Sequence, residues 1–118
     1  MALSNSLPGA LIDIRPLGAQ LAEAKTHALL TTASMELMRV VLQAGRGLPP
    51  HSVAGDITLL CIEGHVRLQA QAGDHERRAG DLVLLPGGDR HSLQAIEDSS
   101  LLVAVLLARP TTSDASAA

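Results

Sequence analysis

Two histidines stand near the two ends of a stretch that is rich in Gly and Pro turns. His51 follows the Pro49-Pro50 pair, and His91 follows the turn Pro-Gly-Gly-Asp-Arg at 86–90. Imidazole is the commonest metal ligand and the usual acid or base near neutral pH. The pair therefore predicts a metal site or an acid–base site. The alternative is that both are interior histidines, each with one structural hydrogen bond.

The spacing around both histidines resembles the two motifs of the cupin family. The first motif is Gly, five residues, His-x-His, three or four residues, Glu, six residues and Gly; the residues that match are Gly45, His51 and Gly64. The second is Gly, five residues, Pro-x-Gly, two residues, His, three residues and Asn; the residues that match are Gly80, Pro86, Gly88 and His91. The resemblance implies an all-β fold, the cupin-type double-stranded β-helix or jelly-roll barrel, with both histidines at the barrel mouth.

Three positions depart from the family pattern. Val53 stands at the second His, Ile57 at the Glu and Ala95 at the Asn of the motifs. Of the family's usual metal ligands, only His51 and His91 remain, so we expect no tightly held metal. A divalent Fe, Mn, Ni or Zn ion at these two residues is the alternative, and it would need a third donor.

The third donor could come from Cys61, His27 or water. Cys61 shares a strand face with Ile57 and Leu59, because side chains alternate along a strand. A thiolate there could join the two imidazoles, but a lone Cys is more often a small buried hydrophobe.

Arg39 stands alone among apolar neighbours on the strand predicted at 35–43. If it faces the barrel, its guanidinium could bind a carboxylate or phosphate with two hydrogen bonds. If it faces the other way, it is a rim or interface residue, and the sequence does not decide between the two. The complete set of predicted pocket residues is His51, His91, Arg39, Cys61, Val53, Ile57, Leu59 and Leu93.

Composition excludes several classes of function. The 118 residues are 47% hydrophobic and include no Phe, Trp or Tyr, so the core must be aliphatic and no aromatic face can stack on a sugar or base. A net charge of −3 gives no basic surface for nucleic acid. No apolar run approaches the roughly 20 residues that span a bilayer. The single cysteine and the absence of a signal-peptide pattern favour the cytoplasm.

The pattern of apolar residues and turns predicts a short N-terminal helix at 17–25 followed by strands, with 45–55 mostly a loop around His51. His65 is expected on a solvated strand face. Residues 10–108 form the predicted single barrel domain, after a flexible N-terminus at 1–9 and before a disordered C-terminal tail at 109–118. The predicted strands are 26–32, 35–43, 57–62, 65–71, 81–85, 91–96 and 101–107, with further short strands possible at 10–14 and 75–78.

The strands at 57–62 and 101–107 are apolar on both faces, which predicts that the outer face is covered in a homodimer. The leading hypothesis is a small cytoplasmic cupin barrel that binds a small organic ligand near two histidines, as a binding or sensor module or as an acid–base enzyme. The alternative is a metal-dependent cupin enzyme, such as a dioxygenase, isomerase or decarboxylase. A third interpretation is a barrel that serves only as a dimer scaffold. Nucleic-acid and membrane partners are not expected.

Overall fold

The structure is a computed structural model that describes Leu7 and residues 9–107. The predicted disordered tail at 109–118 lies outside the described residues, as does the predicted flexible N-terminus at 1–9 apart from Leu7 and Gly9. The described residues contain one short 3₁₀ helix, Gly18–Glu23, and nine strands. The strands are β1 His27–Thr31, β2 Met35–Leu42, β3 Gly47–His51, β4 Ile57–Glu63, β5 His65–Ala70, β6 Gly73–Arg78, β7 Leu82–Leu85, β8 His91–Ala95 and β9 Ser99–Leu106.

The strands form two antiparallel sheets that enclose one aliphatic core. Sheet A has the order β1-β2-β9-β4-β7, and sheet B has the order β3-β8-β5-β6. Both sheets contribute side chains to the same core, in which Leu59 and Leu101 from sheet A meet Val66, Leu68 and Leu93 from sheet B. The all-β prediction is confirmed, and the core contains no aromatic ring because the sequence has none.

Two local predictions differ from the structure. The stretch 45–55 was expected to be mostly loop, but it contains strand β3, which pairs with β8 at the edge of sheet B. Its register shifts between Leu48 and His51, where Pro49 and Pro50 have no N–H to donate, and an edge strand tolerates that loss. His65 is buried rather than solvated, because its Nε2 lies 2.8 Å from Oε1 of Glu76 on the neighbouring strand β6.

The N-terminal segment also differs from its prediction. The helix expected at 17–25 is a 3₁₀ helix confined to Gly18–Glu23, and no strand forms at 10–14. Gly18 begins this helix with a φ of 60°, a conformation that an α-helix does not use. The segment is held to the barrel mainly by polar contacts and by Leu21, whose side chain is buried.

The register of β2 decides which of its side chains face the core. Met38 pairs with Val103 and Val40 pairs with Leu101, and both partners are core residues. Side chains alternate between faces along a strand, so Arg39 points to the opposite, outer face of sheet A. The face that the sequence left open is thereby determined by an unbroken ladder between β2 and β9.

Arg39 is nevertheless buried, with only 3% of its surface exposed. It is covered by residues 13–24, which we call the N-terminal strap. Its Nη2 donates to the Asp13 carbonyl at 3.1 Å, and its Nη1 donates to Ser100 Oγ at 3.4 Å. Ser100 Oγ in turn donates to Glu63 Oε2 at 2.6 Å, and the Leu17 N–H donates to the same oxygen at 2.9 Å. Arg39 is therefore a structural residue and neither a pocket anchor nor an exposed rim residue.

The turn between β4 and β5 depends on Gly64. Its φ of 93° lies in the left-handed region, and a Cβ there would collide with Ser99 Oγ and the Asp98 carbonyl. Gly80 has almost the same φ, 92°, but a Cβ there would meet nothing within 4 Å. Both glycines match the motif spacing, and both have a backbone conformation that favours glycine. Only at Gly64 is a side chain also excluded by neighbouring atoms.

We expect Gly64→Ala to destabilise the protein more than Gly80→Ala. The left-handed conformation costs about 1–2 kcal/mol in either variant. Only Gly64→Ala adds overpacking, which costs roughly 1–3 kcal/mol more. Urea unfolding of the two variants and the wild type measures the difference, and equal losses in the free energy of unfolding would contradict the predicted collision.

The carboxylate of Glu63 makes the strap sensitive to acid. Burial by itself would raise its pKa, but the Ser100 hydroxyl, the Leu17 and Gly18 N–H groups and the Arg39 charge outweigh burial and hold the pKa below its ordinary value of 4.5. A lowered folded-state pKa means that this contribution to stability is present above about pH 4.5 and is lost as the pH falls through the folded pKa.

We therefore expect the free energy of unfolding to fall between pH 6 and pH 3, and to fall less in Glu63→Gln. Urea unfolding at both pH values measures this difference. Glu23→Gln is the matched control, because Glu23 is an exposed strap residue. An identical pH dependence in wild type and Glu63→Gln would show that the carboxylate does not hold the strap.

Candidate functional site

The two ends of the barrel differ in the strand connections and side chains that lie there. The connections β2–β3, β4–β5 and β8–β9 all lie at one end. At the opposite end, Glu36 pairs with Val105, Val105 pairs with Ile57, and His51 pairs with His91. We call this end the mouth, and it brings the two motif histidines of sheet B opposite the first inward-facing residues of sheet A.

A cavity of about 180 Å³ lies between the sheets at the mouth. His51 is exposed, whereas His91 is buried. It contains six of the eight predicted pocket residues, namely His51, His91, Val53, Ile57, Leu59 and Leu93. The other lining residues are Glu36, Met38, Val40, Leu48, Val103 and Val105.

The two imidazoles are held side by side, with ring centroids 4.5 Å apart and ring planes inclined by 55°. His51 Nδ1 lies 3.1 Å from the Pro49 carbonyl, and His91 Nδ1 lies 2.9 Å from the Asp89 carbonyl. A carbonyl oxygen can only accept, so each Nδ1 carries the hydrogen, and in the neutral ring Nε2 retains the lone pair. Each ring thus makes a structural hydrogen bond and still has a free acceptor.

The orientation of His91 is fixed by the buried Asp89. One oxygen of this carboxylate accepts from the Gln71 N–H at 2.8 Å, and the other accepts from the Ala72 N–H at 3.1 Å. The adjacent Gly88 N–H donates to the Val53 carbonyl at 2.8 Å. The turn before His91 is therefore fastened to the β5–β6 turn and to the segment after His51. Sequence reasoning missed Asp89, although an acidic residue inside a Pro/Gly turn is typical of backbone capping.

Cys61 does not line the cavity. It shares the inward face with Ile57 and Leu59, as alternation predicted, but it pairs with Leu101 and lies deeper in the barrel. Its side chain is buried, and its Sγ donates weakly to the Glu63 carbonyl at 3.6 Å. Burial, reinforced by the charge of Asp81, raises the pKa of the thiol. Cys61 is therefore a protonated, buried thiol and does not provide the third donor considered from the sequence.

Glu36 is the charged cavity residue that sequence reasoning missed. It occupies the inward face of β2, two residues before Met38, and it is half-buried. Glu36 and Arg39 lie on opposite faces of β2. The face of β2 that is turned inward therefore determines whether the cavity contains a negative or a positive side chain. The apolar residues of β2 occur on both faces, which is why periodicity alone could not make that choice.

The donor set of the mouth does not fit a three-ligand metal site. Among residues 9–107, no group of three or more His, Cys, Asp or Glu side chains is arranged to hold a metal ion. Val53, Ile57 and Ala95 stand at the remaining motif positions and have no side-chain donor atom. Two Nε2 atoms are present where a catalytic divalent ion commonly takes three protein ligands.

No helix within the described part of the chain is long and apolar enough to cross a membrane.

Comparison with known proteins gives a consistent answer for the fold. No protein-family model matches the sequence, and no curated protein matches it. Among solved structures, a cupin superfamily protein from Desulfitobacterium hafniense has a TM-score of 0.69 at 13% identity, covering 84% of this chain and 100% of that one. An RmlC-like cupin family protein with a double-stranded β-helix fold, from Methanocaldococcus jannaschii, has a TM-score of 0.69 at 19% identity, covering 86% and 94%.

A third similar structure is a predicted oxalate decarboxylase from Thermotoga maritima, with a TM-score of 0.63 at 20% identity, covering 70% of this chain and 79% of that one. At these identities the likeness concerns the fold. The resemblance first seen in the two motifs is confirmed at that level: the chain has the double-stranded β-helix fold of the cupin superfamily.

Proposed function

We propose that this protein binds a small organic ligand in the mouth cavity, through apolar walls and the Nε2 atoms of His51 and His91, without a tightly held metal. The observation that carries the proposal is the pair of imidazoles whose Nδ1 atoms are bound to backbone carbonyls. Both residues line a cavity that is otherwise mostly aliphatic, and Nε2 is the remaining acceptor of each neutral ring. Apolar walls with a few placed polar groups are typical of small-molecule sites.

The size of the cavity limits the ligand. Its volume is about 180 Å³, and a cavity of roughly 150 Å³ is enough for a benzene-sized molecule. The ligand that fits has roughly six to eight non-hydrogen atoms, which is smaller than a drug-sized compound. A nucleotide or disaccharide is too large to be enclosed in this space, so we propose a small metabolite or metabolite fragment.

The same geometry supports an acid–base enzyme. A neutral imidazole with a free Nε2 can accept a proton from a bound molecule, and the Nδ1–carbonyl bond keeps the ring oriented while it does so. The metal-dependent enzyme of the sequence analysis remains the alternative, and it would need ligand or water oxygens to complete coordination at the two Nε2 atoms. A barrel that binds nothing, serving only as a scaffold, is the third possibility.

We expect His51→Ala to weaken ligand binding about tenfold or more while leaving the fold intact, because His51 is exposed and its ring contacts the ligand. A fragment library of compounds with up to eight non-hydrogen atoms, screened by shifts of the lining-residue amides in ¹H–¹⁵N NMR spectra, identifies the ligand and gives its Kd. His75→Ala is the matched control, because His75 is exposed on β6 and away from the cavity.

Two results would contradict the proposal. One is a fragment screen in which no compound shifts the lining amides of the wild type, which would favour the scaffold interpretation. The other is about one Fe, Mn, Ni or Zn ion per chain in protein purified without chelator or nickel resin, lost in His51→Ala, which would establish the metal-dependent alternative. Elemental mass spectrometry measures the second.

We also propose that the outer face of sheet A packs against a second copy of the chain. Leu82 and Leu84 on β7 and Leu106 on β9 are exposed by 65%, 60% and 48%. Register places Leu82 beside Leu60 and brings Leu84 next to the same strand, so these apolar side chains form one face. The N-terminal strap covers the part of sheet A around Arg39.

A second copy suits this patch better than the chain's own C-terminal residues. Residues 108–118 include no Leu, Ile, Val or Met and provide little apolar surface to cover it. The charge of Glu63, at the end of β4, is bound beneath the N-terminal strap. The other outward residues of β4, β7 and β9 are uncharged, so two copies can meet at this patch without burying a charge. A face of this kind is self-complementary in a two-fold dimer.

We expect the wild type to be a dimer and Leu84→Lys to be a monomer, because two lysines would be buried across the two-fold axis. Size-exclusion chromatography with light scattering gives the mass. Gln94→Lys is the control, since Gln94 is exposed on the outer face of sheet B. A wild type that remains monomeric at high concentration, or a dimer that Leu84→Lys leaves unchanged, would remove this interface.

A further inference from the structure

We infer that the mouth cavity selects a small organic cation, a protonated amine with a compact apolar body. This inference rests on the proposed function, because it names the chemical class of ligand for the same cavity. It follows from the position of Glu36 and from the hydrogen-bonding state of the two histidines. The polar groups that line the cavity are acceptors, which pair with a hydrogen-bond donor on the ligand. The one charged group among them is a carboxylate, which pairs with a cation.

The first step is the charge of the lining. Glu36 is the one lining residue of the cavity with a carboxylate, and the lining contains no Lys or Arg. Arg39, the nearest basic residue along β2, lies on the opposite face and is engaged with Asp13 and Ser100. Within the described residues, the three ion pairs join Arg15 to Asp13, His65 to Glu76 and Arg67 to Glu76, so none of them involves Glu36.

The second step is the hydrogen-bonding capacity. A carboxylate accepts only, and a neutral imidazole whose Nδ1 hydrogen is donated to a carbonyl accepts at Nε2. With both rings neutral, the polar side chains that line the cavity, Glu36, His51 and His91, offer acceptors only, and the remaining lining side chains are Met, Leu, Val and Ile. A ligand carboxylate or phosphate would bring further acceptors to this set and would meet a like charge. An ammonium group brings N–H donors and the opposite charge.

The third step is the arrangement across the mouth. Glu36 projects from sheet A, whereas both histidines project from sheet B. The three side chains do not converge closely enough to form a metal-type cluster. They line opposite walls of the same space, which suits an occupant of several atoms better than a single ion. The apolar residues below them, Met38, Leu59 and Leu93, would receive the hydrocarbon part of the ligand.

The charge of the ligand also determines how much Glu36 contributes to the free energy of binding. A half-buried carboxylate without a cation loses part of its hydration and gains nothing in exchange. A bound ammonium would provide a charge-assisted hydrogen bond, which is roughly twice as strong as a neutral one. An alcohol of the same shape would fill the same apolar space and could donate to the carboxylate, but it has no positive charge and cannot form an ion pair with it. The amine and the alcohol therefore differ chiefly in their interaction with Glu36.

The experiment compares three ligands with the same branched body, 2-methylpropylamine, 2-methylpropanol and 3-methylbutanoate, at pH 7.5. Each is titrated into the wild type, Glu36→Gln and Glu97→Gln, and Kd is taken from the shifts of the lining amides in ¹H–¹⁵N spectra. Glu36→Gln keeps the shape of the side chain and removes its charge. Glu97→Gln removes one carboxylate from the exposed β8–β9 turn at the other end of the barrel.

The wild type and Glu97→Gln are expected to bind the amine at least tenfold more tightly than the alcohol, and to bind the carboxylate more weakly than either. Glu36→Gln is expected to bind amine and alcohol with Kd values within about threefold of each other. Raising the salt concentration should weaken amine binding and leave alcohol binding unchanged, since only the former depends on charge.

Other results overturn the inference in distinguishable ways. Equal affinity for amine and alcohol in the wild type, or tighter binding of the carboxylate, would refute the selection of cations and leave the ligand-binding proposal standing. An amine preference that survives in Glu36→Gln would assign the selection to another group. If none of the three compounds shifts the lining amides of the folded wild type while another fragment of the library does, the inference fails alone. If no compound of the library shifts them either, the proposed function fails together with the inference.

Discussion

The alternation of side chains along β2, β9 and β4 is the constraint on which the rest of the site depends. An unbroken antiparallel register ties Met38 to Val103 and Val103 to Leu59, so the three central strands of sheet A share one inward face. A slip of one residue in β2 would exchange every inward side chain for its neighbour. That slip would place the Arg39 guanidinium in the cavity and the Glu36 carboxylate outside it, which would reverse the charge of the lining.

The outer face of sheet A makes that slip unfavourable. Arg39 is buried there with hydrogen bonds to Ser100 and the Asp13 carbonyl, and Ser100 links it to Glu63. Turning Arg39 inward would leave Glu63 without its cation and place a buried charge among aliphatic side chains, which is costly without a partner. The N-terminal strap thus does more than cover the sheet, because its polar contacts help to fix the face that β2 presents to the mouth.

The sequence was informative about positions where the backbone conformation restricts the residue type. It was less informative about which face of a strand points into the barrel. The spacing of Gly45, Gly64, Gly80 and His91 predicted the fold through its resemblance to the cupin motifs. The three glycines all have positive φ, which is a backbone conformation that favours glycine. The inward face of β4 was predictable as well, since Ile57 stands at the Glu position of the motif and Leu59 follows two residues later on the same face. The inward face of β2 was not, because apolar residues occur on both of its sides and only pairing with β9 distinguishes them. Asp89 was missed because its role lies in backbone contacts that a linear pattern does not reveal.

The two histidines show why a structural and a functional role need not exclude each other. A ring with an unbound Nδ1 could rotate or change tautomer, and its Nε2 would then present either a donor or an acceptor. The carbonyls of Pro49 and Asp89 remove that freedom by accepting from Nδ1. Asp89 is itself fixed through its carboxylate by two backbone N–H groups. The hydrogen bond that makes each histidine part of the scaffold is therefore the same interaction that leaves Nε2 as the acceptor of the neutral ring. The mouth, with Val53 and Ile57 at the other ligand positions of the motif, combines two oriented imidazoles with one carboxylate on the opposite wall.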